Sequence, residues 1–177
     1  MKTRSLVFLC LLVFTISGVV LAEKNLLKNG NFEEVQNGKP VAWAFAYRLG
    51  DEKEALSLDE HDPHEGKYSA RIVHNNQDSY NTISQSLKVE PGQDYVLTAY
   101  VRAENIKAKA GGIGARVFVG DEKGNTLAAG IVSAHGKWHL VTVKFNSKTN
   151  KNVGISLYLH QASGKVWFDD VKLQKAD

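Results

Sequence analysis

Gly164-Lys165-Val166-Trp167-Phe168-Asp169-Asp170-Val171-Lys172-Leu173, near the end of a 177-residue chain, alternates apolar and polar side chains with one fault. Val166 and Phe168 share a parity. After two aspartates the alternation resumes out of phase at Val171 and Leu173. Period-two alternation marks a strand with one buried face. Two carboxylates at the change of parity are costly to bury without a partner. The fault therefore predicts that at least one aspartate holds something, either a hard cation or backbone N–H groups from the other end of the chain.

The same alternation recurs upstream. In residues 153–160, Ile155, Leu157 and Leu159 take one face while Ser156, Tyr158 and His160 take the other. In residues 95–103, Tyr95, Leu97, Ala99 and Val101 form an inner face opposite Thr98, Tyr100 and Arg102. Residues 116–119 pair through a 120–125 hairpin with residues 126–132. Further strands read at 67–73, with Ala70 and Ile72 inward, at 82–89 and at 136–145. Trp43, Phe45 and Tyr47 share a parity behind the turn at Asn37-Gly38-Lys39-Pro40. Residues 107–114 read as a flexible basic, glycine-rich connection, and Asp59-Glu60-His61-Asp62-Pro63-His64-Glu65-Gly66 as a solvated loop. No stretch after the leader has sustained helical periodicity. About nine or ten short strands with closely spaced turn signals predict an all-β fold, an antiparallel β-sandwich or jelly roll.

The first residues read as a secretion signal. Lys2 and Arg4 form a positive start, residues 6–14 an apolar run, and Val20-Leu21-Ala22 a cleavage site before Glu23. Removing residues 1–22 leaves a single domain at 23–177, secreted to the cell exterior or periplasm and without a membrane segment in its mature form. The only cysteine, Cys10, leaves with the leader, so the exported chain has no thiol chemistry. The formal charge falls from +3 to +1, which gives no electrostatic case for nucleic acid. Catalysis is not expected. Nucleophile-elbow and zinc-protease motifs are absent, and the adjacent pairs Glu33-Glu34 and Asp169-Asp170 point to opposite faces if their strands are regular.

Four segments in order resemble one family. They are Asn25-Leu26-Leu27-x-Asn29-Gly30-Asn31-Phe32-Glu33 with Pro40-x-x-Trp43; Glu65-Gly66-Lys67-Tyr68-Ser69; Gln85-x-Leu87-x-Val89-x-Pro91-Gly92-x-x-Tyr95-x-Leu97-x-Ala99-Tyr100-Val101; and Gly136-x-Trp138 through Trp167-Phe168-Asp169-Asp170-Val171. Together they resemble a carbohydrate-binding module of the family 4/9/22 type, a galactose-binding-like jelly roll. The resemblance implies a structural calcium where the first strand, the Gly66 loop and the last strand meet. Carried over by position, its ligands would be Glu33, Asn31, Asp169 and Asp170, with backbone carbonyls near Glu65 and Lys67. The alternative is a hydrogen-bonded clasp without metal.

The resemblance also implies non-catalytic binding of a polysaccharide or oligosaccharide on a sheet face. A pyranose offers an apolar C–H face to an aromatic ring and hydroxyls to paired donors and acceptors. If the strands bearing Tyr100 and Arg102, Arg116 and Phe118, and Tyr158 and His160 share a sheet, those residues form one groove, with Tyr47 and Tyr80 at its rim. Trp43 and Trp138 match core positions of the family. Two arginines in such a groove would suit an acidic sugar. The competing reading is a secreted or cell-surface scaffold that binds other proteins, with only a structural calcium.

Overall fold

The computed structural model describes residues 24–49, 55–132 and 136–176; the leader read at 1–22 lies outside them. Alternation becomes pairing in twelve strands: β1 (Val35–Gln36), β2 (Lys39–Pro40), β3 (Ala44–Leu49), β4 (Leu56–Asp59), β5 (Ser69–His74), β6 (Tyr80–Lys88), β7 (Asp94–Ala108), β8 (Gly114–Gly120), β9 (Thr126–Ile131), β10 (His139–Asn146), β11 (Asn152–His160) and β12 (Ala162–Lys175). β1 and β2 form a small ribbon. The others make two five-stranded antiparallel sheets, sheet I in the order β10-β7-β12-β5-β4 and sheet II in the order β3-β6-β11-β8-β9. Among the described residues there is no helix. The fold is the all-β sandwich that the alternation predicts.

The faces follow from the side chains. Leu97, Ala99, Val101, Ile72 and Phe168 of sheet I meet Ile83, Val117, Ile155 and Leu157 of sheet II with no exposed surface. Each large aliphatic side chain buried this way contributes roughly 1.5–3 kcal/mol. Several polar side chains that enter the interior are hydrogen-bonded, although Asn81 Oδ1 has no partner among the described residues. His74 Nδ1 bonds the Ala162 carbonyl, and Asn81 Nδ2 donates to His74 Nε2. Gln85 donates to the Lys28 carbonyl and accepts from the Lys28 N–H. This holds the N-terminal segment against sheet II.

Two local expectations change. Residues 107–114 are not wholly a connection, because β7 runs on to Ala108 and pairs there with Ala162. The strand read at 136–145 begins only at His139, and Leu140 stands 51% exposed while Val141, Val143 and Phe145 enter the core. The parity fault in the last strand is a β-bulge. Register against β7 shifts between Asp169 and Lys172, and Asp170 is left-handed at φ 46°. An extra residue at a bulge moves the following side chains to the other parity, which is why Val171 and Leu173 are buried where regular alternation would expose them.

Candidate functional site

The bulge sits where the two ends of the chain meet. Leu26 N–H donates to the Leu173 carbonyl, Val171 N–H to the Gly30 carbonyl, and Asn25 bonds Val171 O and Leu173 N through its side-chain amide. Glu33 and Asp169 grip the loop before β5. Glu33 Oε1 accepts from Lys67 N–H (2.9 Å) and Tyr68 N–H (2.8 Å). Asp169 Oδ2 accepts from His64 N–H (3.0 Å) and Glu65 N–H (3.3 Å), while its Oδ1 accepts from Asp170 N–H. The bulge corrects the expectation that Asp169 and Asp170 face apart. Asp170 Oδ2 lies 2.7 Å from His64 Nδ1, so both aspartates hold the same residue.

Burial pushes the Asp169 carboxyl up to about 7, against the pull of those N–H donors and with the neighbouring Asp170 adding to it. Negative charge here is thus under-compensated by the protein. His64, Glu65 and Asp170 each present one ligand atom, all within 4.8 Å of one another. The groups that meet Glu33 and Asp169 are backbone N–H groups rather than the carbonyls expected near Glu65 and Lys67. Asn31 is exposed on the rim of a cleft that Asp170 also lines. His64 belongs to the group with Glu65 and Asp170 although it was read only as part of a solvated loop. Its carboxylate partner is 106 residues away, beyond any local spacing signal.

The three strands expected in one groove are divided between the sheets, which corrects the placement of Tyr100 and Arg102. Both lie on β7 in sheet I, while Arg116 and Phe118 on β8 and Tyr158 and His160 on β11 belong to sheet II. On sheet I the outer face is already occupied. Tyr100 stacks under His64 at 3.5 Å, and Trp138 meets His64 edge-on. The Arg102 guanidinium lies 4.2 Å from the Trp167 ring centre and 5.4 Å from that of Trp138, and it pairs with Asp62. Trp138 Nε1 donates to the Asp62 carbonyl and Trp167 Nε1 to Asp59 Oδ2, which Arg71 also holds. The 59–66 segment, read as solvated, is a strap tied down across this face.

Sheet II carries the other candidates. Thr82 lies opposite Tyr158 and Tyr158 opposite Arg116; Ser84 lies opposite Ser156 and Ser156 opposite Phe118; His160 lies opposite Tyr80. Residues directly opposite in an antiparallel pair share a face. Tyr80, Tyr158, His160, Arg116 and Phe118 therefore gather on one outer surface. The Tyr158 ring is flanked edge-on by Tyr80 (5.8 Å) and by the tilted Phe118 (5.9 Å), and Tyr80 meets His160 at 4.6 Å. Tyr47 does not join them. It lies opposite Asn81, on the core-side parity, and is exposed because β3 is an edge strand.

Beside the rings the surface drops. Ser84, Ser86, Gly154 and Ser156 form a floor, which continues into a cleft of about 300 Å³ lined by Ser86, Gly154, Asn152, Asp121 and Glu122. Three polar atoms around the rings are buried and have no hydrogen-bond partner among the described residues: Thr82 Oγ1, Arg116 Nε and His160 Nδ1. Burial lowers the His160 pKa, and the Lys109 cation adds to this, so its ring is neutral near pH 7. Burial raises the Tyr158 phenol while the nearby Arg116 opposes the rise. The first sheet's face also leaves such an atom, Arg102 Nε, but its rings lie against the 59–66 strap.

A family model described as "Carbohydrate binding domain" matches residues 24–165. Among solved structures, the chain is similar to TmCBM61 in complex with β-1,4-galactotriose, at 20% identity and TM-score 0.63, covering 86% of this chain and 99% of that one. It is similar to a CBM4 module at 17% identity and TM-score 0.61, covering 84% and 99%. The CBM22-1 xylan-binding domain of Paenibacillus barcinonensis Xyn10C is 18% identical with TM-score 0.57, covering 87% and 96%. No curated protein matches the chain. At these identities the structural likeness is one of fold.

Proposed function

Because the chain belongs to the carbohydrate binding domain family, we propose that it is an exported, non-catalytic saccharide-binding module whose binding surface is the outer face of sheet II. The observation that carries this reading is the gathering of Tyr80, Tyr158 and Phe118 with the unpartnered Thr82 Oγ1, Arg116 Nε and His160 Nδ1 on that face. Rings can take the C–H face of a pyranose, and buried polar atoms without partners bond its hydroxyls at little further desolvation cost. The opposite face offers less, since its rings and charges are engaged with the 59–66 strap. Binding needs no reacting group: the role of these side chains is to stack, orient and exclude water.

The clasp is proposed to hold a structural calcium. Glu65 and Asp170 present oxygens within 4.8 Å of one another and of the His64 ring nitrogen, and with the raised Asp169 pKa beside them they suit a hard cation, which would neutralise charge the backbone N–H groups leave uncompensated. Glu33 and Asp169 would then join the two chain ends and the Gly66 loop, with Asp170 beside them. The leader read from Lys2, Arg4 and the apolar run behind them supports export.

Titration of the purified protein against neutral and acidic polysaccharides tests the binding reading, and no binding with the fold intact would refute it. Placement on sheet II is tested by a matched pair of half-buried rings on opposite sheets. Phe118→Ala should weaken saccharide binding by about tenfold, a loss of ~1.4 kcal/mol. Tyr100→Ala should leave binding within about twofold while lowering Tm by a few degrees, through loss of the His64 stack. The reverse ranking would move the site to sheet I.

A further inference from the structure

Arg116 differs from the other arginines whose side chains are described. Arg71 pairs with Asp59 and Arg102 with Asp62, but Arg116 has no carboxylate partner among the described residues. Its Nε is buried without an acceptor. Among the described side chains, the neighbouring strand positions that share its face are Tyr80, Thr82, Ser84, Ser86 and Lys88 on β6, Asn152, Gly154, Ser156, Tyr158 and His160 on β11, and Ala129 and Ile131 on β9; none is acidic. Tyr158 itself is 6% exposed, so a saccharide would lie against the partly exposed Phe118 and Tyr80 rings that flank it, and there it would cover this guanidinium. Covering a cation with neutral hydroxyls removes its water and supplies no countercharge, which is costly. A planar carboxylate supplies the countercharge and matches the guanidinium fork with two parallel N–H···O bonds.

We propose that the sheet II face selects a saccharide carrying a uronate carboxylate, with Arg116 as the residue that binds that carboxylate. This rests on the reading of sheet II as the saccharide surface. The surroundings narrow the ligand further. Among the described side chains near the rings, Lys109 is paired with Asp78 and Arg116 has no carboxylate partner, while the cleft at the other end of the face is lined by Asp121 and Glu122, with Lys88 on β6 beside it. Arg116 and Gly120 are four residues apart on β8, roughly 13 Å along the strand, or two to three sugar units. The carboxylate end of the ligand thus lies at Arg116 and an uncharged stretch lies toward Gly154. A neutral backbone with an occasional uronate fits this arrangement; a polyuronate would bring negative charge against Asp121 and Glu122. His160, neutral near pH 7, completes the Arg116 end as a hydrogen-bonding group.

The test is calorimetric titration of the intact protein with a uronate-bearing xylooligosaccharide and with the same oligosaccharide after its carboxyl group is reduced to an alcohol. The wild-type protein should bind the acid at least about tenfold more tightly, as expected for one charge-assisted bidentate contact. Arg116→Gln should bring the two ligands to within about twofold, and Arg116→Lys, which keeps the charge without the fork, should recover only part of the difference. Equal wild-type affinity for the two forms would overturn the uronate proposal and leave saccharide binding standing. Tighter binding of a polyuronate than of the branched ligand would overturn the sparse-charge geometry. Failure to bind these ligands and every neutral polysaccharide, with Tm unchanged, would overturn both this proposal and the function it rests on.

Discussion

Stripped of divalent cations, the protein should be more stable at about pH 5.5 than at about pH 8. Calcium should then raise Tm more at the higher pH. The Asp169 carboxyl titrates at about 7 in the folded chain, against an ordinary value of 3.8. A raised folded-state pKa means that the native state keeps a proton that the unfolded chain releases. The resulting stabilisation is complete below the unfolded value and is lost as pH rises through about 7. The shift spans about three units at ~1.4 kcal/mol each, so the full swing is up to about 4 kcal/mol. About half of it should appear between pH 5.5 and pH 8, or on the order of 5 °C in Tm.

His160 acts in the opposite direction. Its pKa is lowered, so its contribution is lost as pH falls through the ordinary value of 6.5. A His160→Gln background removes that component. The lowered carboxyls of Asp59, Asp121 and Glu122 lose their contributions only as pH falls below the ordinary carboxylate range, and are constant in this window. Calcium binds the ionised carboxylate, so its increment to Tm should grow with pH and vanish on chelation. Asp169→Asn should abolish both the slope and the calcium effect. It should also cost stability outright, because an amide nitrogen would face one of the backbone N–H groups that the carboxylate accepts. A Tm indifferent to chelator at both pH values would leave the hydrogen-bonded clasp as the whole fastener.

That clasp was legible in the sequence because its signal is local. A change of parity over Asp169-Asp170 cannot be reconciled with a regular strand, and a bulge gripping the loop before β5 resolves it. The inward faces were legible for the same reason, since strict alternation in residues 95–101 and 153–159 leaves only one side apolar. Alternation says which side of a strand is buried but not which sheet the strand joins. Thr98, Tyr100 and Arg102 present the same outward pattern as Ser156, Tyr158 and His160, and only the order of pairing separates them. The 59–66 strap was hidden for a related reason. Its polar residues look solvated until Arg102, Trp138 and Trp167 arrive from 40, 76 and 108 residues away. Contacts at such separations leave no mark on local composition.

Two glycines separate the clasp from the saccharide surface by experiment. A Cβ on Gly30 would stand 2.0 Å from the Val171 carbonyl oxygen, inside the bonds that join the chain ends. Gly30→Ala must push these backbones apart, and it should cost more than about 2 kcal/mol while leaving any residual folded protein competent to bind. Gly154 is the opposite case. It lies on the floor of the sheet II face between Ser86 and Gly120, and a Cβ there meets nothing within 4 Å. Its neighbours Val153 and Ile155 are buried, so its own side faces outward. Gly154→Leu should fold normally, with Tm within a few degrees of wild type, because an outward side chain on a strand disturbs no core contact. The leucine would fill the floor beside Ser156 and the cleft bounded by Asp121 and Glu122. Saccharide binding should fall by more than about tenfold, while Gly154→Ser, which restores only a floor like that at Ser156, should keep most of it. Unaltered binding by a folded Gly154→Leu protein would place the ligand elsewhere.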